Sequence, residues 1–298
     1  MSSSGPTGAS AGMALFSLGI FFFALNDALA KWLVTDYSAG QLLLVRTLGA
    51  IAVLVPVLWR YKGDIRIKDQ HGLHLARILC MAADTYSFYF ATKFLPLADV
   101  MTFYLAAPIL ITALSGIFLG ERVGWFRWTA VGVGFVGVII ALKPTGAAFS
   151  LAASIALFGS TMFATAVTIT RRLRDTHWTV LVTWQFVGGG LIGAAASAFA
   201  WTAPSPGDFG LMVLVGTVAI GCFICITKAL SLAPASLLAP FHYMSIVWAV
   251  ILGWAIFGDI PGPNVLLGSL VIVGSGLAVL YRERYQGPAV AAQVEPVP

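Results

Sequence analysis

Residues 92–98 read TKFLPLA and residues 227–233 read TKALSLA, so five of the seven positions are identical. Each copy is followed by a long apolar stretch that ends in glycine and an acid, Gly120-Glu121 in the first case and Gly258-Asp259 in the second. A repeat of this kind in an apolar chain predicts a duplicated membrane protein. Duplicated halves are typical of secondary transporters, whose halves move around a site held between them.

The composition indicates that lipid, rather than water, surrounds most of the chain. Hydrophobic residues make up 59% of the sequence and charged residues 10%, whereas a soluble domain carries about 25% charged residues. Asp, Glu, Lys and Arg are absent from 229–258 and from 260–281, and a membrane-spanning helix needs only about 20 such residues. Strands of membrane barrels are instead about 10 residues long and alternate in polarity. The sequence therefore predicts an all-α membrane protein.

Ten transmembrane helices are predicted, arranged as two five-helix repeats joined by short loops. The predicted spans are 12–34, 39–59, 73–94, 97–119, 123–142, 147–170, 178–200, 208–230, 235–257 and 263–281. The expected organisation is a disordered tail over 1–11, a first repeat over 12–145, a second repeat over 146–284 and a disordered tail over 285–298.

The positions of the basic residues predict how the helices are oriented. These residues concentrate in alternate loops: Arg60, Lys62, Arg66 and Lys68, then Arg122 and Arg127, then Arg171, Arg172 and Arg174, then Arg282 and Arg284. Positively charged loops remain in the cytoplasm, so both termini are expected to be cytoplasmic. Since five is an odd number, the second repeat is expected to be inverted relative to the first. A nucleic-acid partner is not predicted, because that would need one continuous basic face on a folded surface.

The usual enzyme and cofactor motifs give no support for catalysis. Residues 132–137 read GVGFVG and match the dinucleotide fingerprint, but they lie within a charge-free span, and no acid occurs between Glu121 and Asp175. The fingerprint requires a preceding strand and an acid about 20 residues downstream. The P-loop, HExxH and GxSxG motifs do not occur, and the four histidines are scattered. We therefore predict no catalytic residues, no cofactor and no metal site.

Polar residues inside the predicted spans are the candidates for a substrate site. A charge near the middle of a membrane costs about 3 kcal/mol on insertion scales, so it either pairs with an opposite charge or lines a hydrated cavity. The candidates are Asp27, Arg46, Asp84, Tyr89, Gln185, Lys228, His242 and Tyr243. The alternative is a closed set of ion pairs that only holds helices together, with Asp27 bound to Lys31 and Asp84 bound to Arg77 or Arg46.

Two prolines occupy corresponding places in the two repeats, Pro108 in the fourth span and Pro240 in the ninth. Proline removes a backbone hydrogen bond and kinks a helix. Kinks at matching positions of two repeats point to a substrate site between them. We therefore expect these prolines to act as hinges.

The repeat phrases, the two glycine–acid pairs and the ten predicted spans together resemble the drug/metabolite transporter superfamily, and within it the EamA-type exporters. The chain further resembles the YddG-type bacterial exporters of aromatic and other neutral amino acids. The resemblance implies a multi-pass protein of the bacterial inner membrane, a monomer or homodimer, that exports small molecules through a central cavity. The family's cavity walls come mainly from spans 1, 3, 4, 6, 8 and 9, which adds Tyr104 to the candidates.

The charges of the candidate site also suit an amino acid. Arg46 or Lys228 is able to bind a carboxylate, and Asp84 or Asp27 is able to bind an ammonium group. We therefore expect alternating-access export of aromatic and other neutral amino acids. The alternative is the same fold exporting a different small metabolite or a drug-like compound. The sequence leaves the driving force open.

Overall fold

The computed structural model describes residues 6–61, 65–118, 125–142, 151–173, 176–232, 241 and 243–285. Every regular element in these ranges is a helix. In chain order the helices are α1 Pro6–Val34, α2 Ala39–Tyr61, α3 His71–Phe94, α4 Leu97–Tyr104, α5 Ala107–Phe118, α6 Trp125–Leu142, α7 Leu151–Arg172, α8 Trp178–Ser197, α9 Pro206–Leu232, α10 Met244–Phe257 and α11 Pro263–Tyr285. This agrees with the predicted all-α class.

Several of these helices suit a lipid bilayer. Within the described ranges, six apolar segments are long enough to cross a membrane: Ser10–Val34, Ala39–Pro56, Leu97–Phe118, Leu151–Thr170, Trp178–Ser197 and Pro206–Phe223. Shorter apolar helices lie at Trp128–Ala141, Met244–Phe257 and Pro263–Val279. The chain is therefore a multi-pass membrane protein.

The described part of α1 starts at Pro6, which is the first residue that the structure describes. A proline accounts for one difference from the predicted spans. The predicted fourth span is divided into α4 and α5, with Leu105 and Ala106 between them and Pro108 as the second residue of α5. The hinge role of Pro108 stays a prediction. Pro240 lies outside the described residues.

Helices from the two halves of the chain pack against each other throughout the described region. The main neighbours are α1 with α9, α3 with α7, α2 with α8 and α9, and α6 with α11. Glycines permit the closest approaches: a Cβ at Gly49 would collide with the backbone carbonyl of Val213, and one at Gly216 would collide with that of Arg46. Small residues at such crossings let helix backbones come together in a membrane. These glycine contacts hold α2 tightly against α9.

The pair formed by α6 and α11 lies at the periphery. The two helices approach through Gly137 and Gly268, where a Cβ on either residue would meet the backbone of the other. Their other faces expose large apolar side chains, among them Val133, Phe135, Val136, Ile139, Leu266, Leu267 and Leu270. An apolar exposed face of this kind is suited to lipid.

Candidate functional site

Arg46 of α2 is surrounded by aromatic rings from two other helices. Its Nη1 donates a hydrogen bond to the hydroxyl of Tyr89 on α3. The guanidinium carbon lies 5.6 Å from the centroid of the Tyr89 ring and 5.7 Å from that of Phe186 on α8. A cation within about 6 Å of an aromatic centroid is stabilised by the ring. Arg46 on α2 therefore contacts both α3 and α8. Its Nε is buried and has no hydrogen-bond partner.

Asp84 of α3 is bound by a tyrosine rather than by a cation. The Tyr104 hydroxyl at the end of α4 donates to Asp84 Oδ1 over 2.7 Å. Phe88 packs edge-on against the Tyr104 ring at 5.3 Å. Gly159 of α7 leaves the room for this contact, since a Cβ there would come within 2.5 Å of the Tyr104 hydroxyl. The Tyr104 hydroxyl therefore binds the carboxyl group of Asp84. The sequence analysis identified Tyr104 as a candidate only through the family resemblance.

Asp27 of α1, which is buried, completes a cluster of ionisable groups with the half-buried Arg46 and Asp84. Its side chain is 6% exposed, and its Oδ2 has no hydrogen-bond partner. It lies within electrostatic range of both Arg46 and Asp84. The neighbouring Asn26 donates from Nδ2 to the Val215 carbonyl on α9 over 2.5 Å, which ties this turn of α1 to α9. One cation and two acids are therefore gathered in the middle of the helix bundle.

The closed ion pairs considered as an alternative do not form in this structure. Lys31 binds Asp259 instead of Asp27. This is possible because Gly258, with φ of +70°, ends α10 in a left-handed turn that glycine adopts without strain and places the acid just beyond the helix. Arg77 binds groups on α7 and α8 instead of Asp84. Asp27 thus retains an oxygen, Oδ2, that no group of the protein binds.

A small cavity lies beside Arg46, between α2, α3 and α8. Its volume is about 10 Å³, which is room for about one water molecule. The lining residues are Leu43, Arg46, Thr47, Met81, Ala82, Thr85, Gln185, Phe186 and Gly189. This space is too small for a metabolite in the conformation of this structure.

The remaining candidates lie in different surroundings. Gln185 of α8 lines the cavity and accepts a hydrogen bond from Arg77. Tyr243 is 8% exposed and packs against Gly276 of α11. Lys228 lies on an exposed part of α9, and His242 is outside the described residues.

Sequence reasoning missed Phe186 as a partner of Arg46. A signal for it was present, because α2 and α8 begin 139 residues apart, and this spacing aligns Arg46 with Gln185 and Thr47 with Phe186. Aligning the repeats over their whole length, rather than only at the TKxLxLA phrase, would have drawn attention to this part of α8.

The pattern of the EamA-like transporter family matches residues 10–143 and 150–281. The chain belongs to this family. The curated relatives of this EamA-like protein include an S-adenosylmethionine uptake transporter of Rickettsia bellii, 24% identical and covering 92% of this chain and 95% of the relative. They also include a riboflavin transporter of Rhizobium johnstonii, 28% identical over 70% of each chain, and the pseudopaline exporter CntI of Pseudomonas aeruginosa, 24% identical over 90% of this chain and 95% of the relative.

A solved structure supports the same fold. The EamA-like chain superposes on a protein of known crystal structure with a TM-score of 0.65, covering 93% of this chain and 99% of that one at 16% identity. The family and the relatives show that the protein is a transporter and not an enzyme. The names of these relatives do not favour aromatic amino acids, so the comparisons support the alternative expectation of a different small metabolite.

Proposed function

We propose that the protein is an alternating-access carrier of a small polar metabolite in the bacterial inner membrane, and that its substrate binds at Asp27, Arg46 and Asp84. The observation that supports this proposal is that two polar atoms of this cluster have no hydrogen-bond partner. Asp27 Oδ2 and Arg46 Nε are buried without partners, and an unused buried polar group costs about 1–3 kcal/mol. A substrate with complementary charges removes that cost when it binds.

The chemistry of the cluster and the names of the relatives together favour a substrate class. The cluster offers a guanidinium, two carboxyl groups and aromatic rings, which suits a molecule carrying both an anionic and a cationic group beside an apolar or aromatic part. S-adenosylmethionine, named for one group of relatives, has this character. Relatives include uptake proteins and an exporter, so the direction of transport is left to experiment.

Matched packing contacts support two inverted five-helix repeats as the basis of the mechanism. The 139-residue spacing relates Gly49 on α2 to Gly188 on α8, and the 135-residue spacing of the TKxLxLA phrases relates Ile78 on α3 to Val213 on α9. Gly49 packs on Val213, and Gly188 packs on Ile78. If a twofold axis relates the two halves, the contact of Gly49 with Val213 must be repeated by their counterparts, Gly188 and Ile78.

The first helices of the two halves give a second matched pair of contacts. Gly19 of α1 packs on Ile226, Cys225 and the Cys222 carbonyl of α9, and Gly159 of α7 packs on Ser87 of α3. Ser87 and Cys222 are again 135 residues apart. Because each half of ten spans holds five, the proposed symmetry axis lies in the membrane plane. Exchanging the packing of the two halves then converts a site open to one side into a site open to the other.

Counterflow into liposomes containing the purified protein tests the proposed function. Labelled S-adenosylmethionine, riboflavin and phenylalanine are compared for the wild type, for Arg46→Met and for the matched control Arg172→Met, which removes an exposed arginine at the end of α7. We expect one of the metabolites to exchange, with at least about a tenfold loss in Arg46→Met and little change in the control. Equal exchange by both variants would refute the location of the site. Exchange of phenylalanine alone would restore the amino-acid substrate.

A further inference from the structure

Arg77 binds both helices of the second half that pack against α3. It is 4% exposed. Its Nε donates to Thr170 Oγ1 on α7 over 2.7 Å, its Nη1 donates to the Leu181 carbonyl on α8 over 3.0 Å, and its Nη2 donates to Gln185 Oε1 over 3.1 Å. These three bonds fix the guanidinium, and they also determine which end of the Gln185 amide faces it.

The orientation of Gln185 follows from the chemistry of its partner. Arginine has only donors, so the amide oxygen has to face Arg77 and the amide NH₂ has to be at the other end. Gln185 also lines the cavity beside Arg46. Its remaining hydrogen-bonding capacity there consists of N–H donors.

The other polar groups around the cavity do not add donors. Thr47 Oγ1 donates to the Leu43 carbonyl over 2.8 Å, and Thr85 Oγ1 donates to the Met81 carbonyl over 3.0 Å, so both hydroxyl protons are used within their own helices. Among the described lining residues there is no carboxyl group, and Leu43, Met81 and Phe186 supply apolar surface. The donors around the cavity therefore belong to the guanidinium of Arg46 and to the amide of Gln185.

We propose that Arg46 and Gln185 form a receptor for the carboxylate of the transported metabolite, and that Arg77 is the positioning residue that turns the Gln185 amide toward it. The proposal rests on the proposed function and makes its substrate class more specific: a compound with a carboxylate next to an apolar group. Asp27 and Asp84 are left to bind a cationic part. The receptor is planar and presents donors only, which matches a carboxylate better than a tetrahedral phosphate.

Binding of small probes to the purified protein tests this receptor without requiring transport. Phenylacetate and phenylacetamide have nearly the same shape and differ in the charge of one end. Thermal stabilisation at increasing probe concentration gives the dissociation constant of each. For the wild type we expect phenylacetate to bind at least about tenfold more tightly than the amide, because charge-assisted bonds are about twice as strong as neutral ones.

Variants of Gln185, Arg77 and Thr170 test whether Arg77 positions the Gln185 amide or only stabilises the fold. Gln185→Glu keeps an acceptor for Arg77 but replaces the donors facing the cavity with negative charge, so we expect the preference for phenylacetate to disappear while the protein stays folded. Arg77→Met should lose the preference by freeing the Gln185 amide. Thr170→Val is the matched control, since it removes another partner of Arg77 and leaves the Gln185 bond in place; it should keep the preference.

Three results would overturn the proposal. Equal binding of phenylacetate and phenylacetamide by the wild type would show that no carboxylate receptor exists. An unchanged preference in Gln185→Glu would place the receptor elsewhere. Stabilisation by inorganic phosphate as strong as that by phenylacetate would show unselective anion binding. Because these measurements do not involve transport, loss of counterflow with an intact probe preference would refute only the proposed function.

Discussion

Replacing Lys31 by methionine should weaken the protein at the end of the bundle where α1, α4 and α10 meet. Lys31 binds Asp259, and the two side chains are 10% and 30% exposed. The ammonium also lies 4.5 Å from the centroid of the Phe257 ring. Asp99, at the start of α4, is within electrostatic range of both Lys31 and Asp259, and its Oδ1 is buried without a hydrogen-bond partner. Lys31 is thus the cation near two acids, Asp99 on α4 and Asp259 just beyond the end of α10.

The size of the effect follows from the partial burial of this cluster. Exposed ion pairs contribute about 0–1 kcal/mol to the free energy of unfolding, whereas removing one partner of a buried pair costs about 3–5 kcal/mol. For Lys31→Met we expect a loss of about 2 kcal/mol, between these limits, because Asp99 and Asp259 are left together without a cation. Asp259→Asn should cost about 1 kcal/mol, since Lys31 then retains Asp99.

Thermal unfolding in detergent, followed by the fluorescence of the nine tryptophans, measures these losses. A loss of about 2 kcal/mol should lower the melting temperature by about 3 °C in a chain of this size, since the unfolding entropy is about 2.1 cal/mol/K per residue. The double variant should lose less than the sum of the single losses, because the two residues interact. Lys93→Met, at an exposed position near the end of α3, is the control. Additive losses, or a Lys31→Met protein as stable as the control, would refute the reasoning.

Three further outcomes are expected. Tyr104→Phe should destabilise the protein by about 1–3 kcal/mol in thermal unfolding, because the Asp84 carboxyl loses its donor. Combining Tyr104→Phe with Asp84→Asn should recover part of this loss, and no recovery would contradict the assigned contact. Gly216→Ala should cost at least about 3 kcal/mol in the same assay, since the new methyl group collides with the α2 backbone, whereas Gly221→Ala, with open space around it, should be nearly neutral. Reporter tags in the loops after α2 and α7 should both be found in the cytoplasm by protease accessibility, and tags on opposite faces would refute the proposed topology.

The sequence predicted the helices far better than it predicted their partners. Long charge-free runs identify membrane helices because the bilayer penalises charge at every position. Ion-pair partners have no such local signal. The alternative of closed ion pairs matched Lys31 with Asp27, one turn away, but the partner of Lys31 is 228 positions distant in the chain. Arg77 likewise binds groups 93 to 108 positions away. Only the relative placement of α1, α3, α7 and α10 determines which charges meet.

Charge is distributed unequally between halves whose packing is matched. Asp27, Arg46 and Asp84 all belong to the first half, and the spacings between matched helices align them with Val167, Gln185 and Ala219 in the second. The proposed exchange of two packing arrangements needs matched glycines in both halves, but it does not need two sets of charges. A second set would add about 3 kcal/mol for each further charge placed in the membrane. The proposed mechanism therefore needs the packing positions in both copies, while the proposed substrate site needs charge in only one of them.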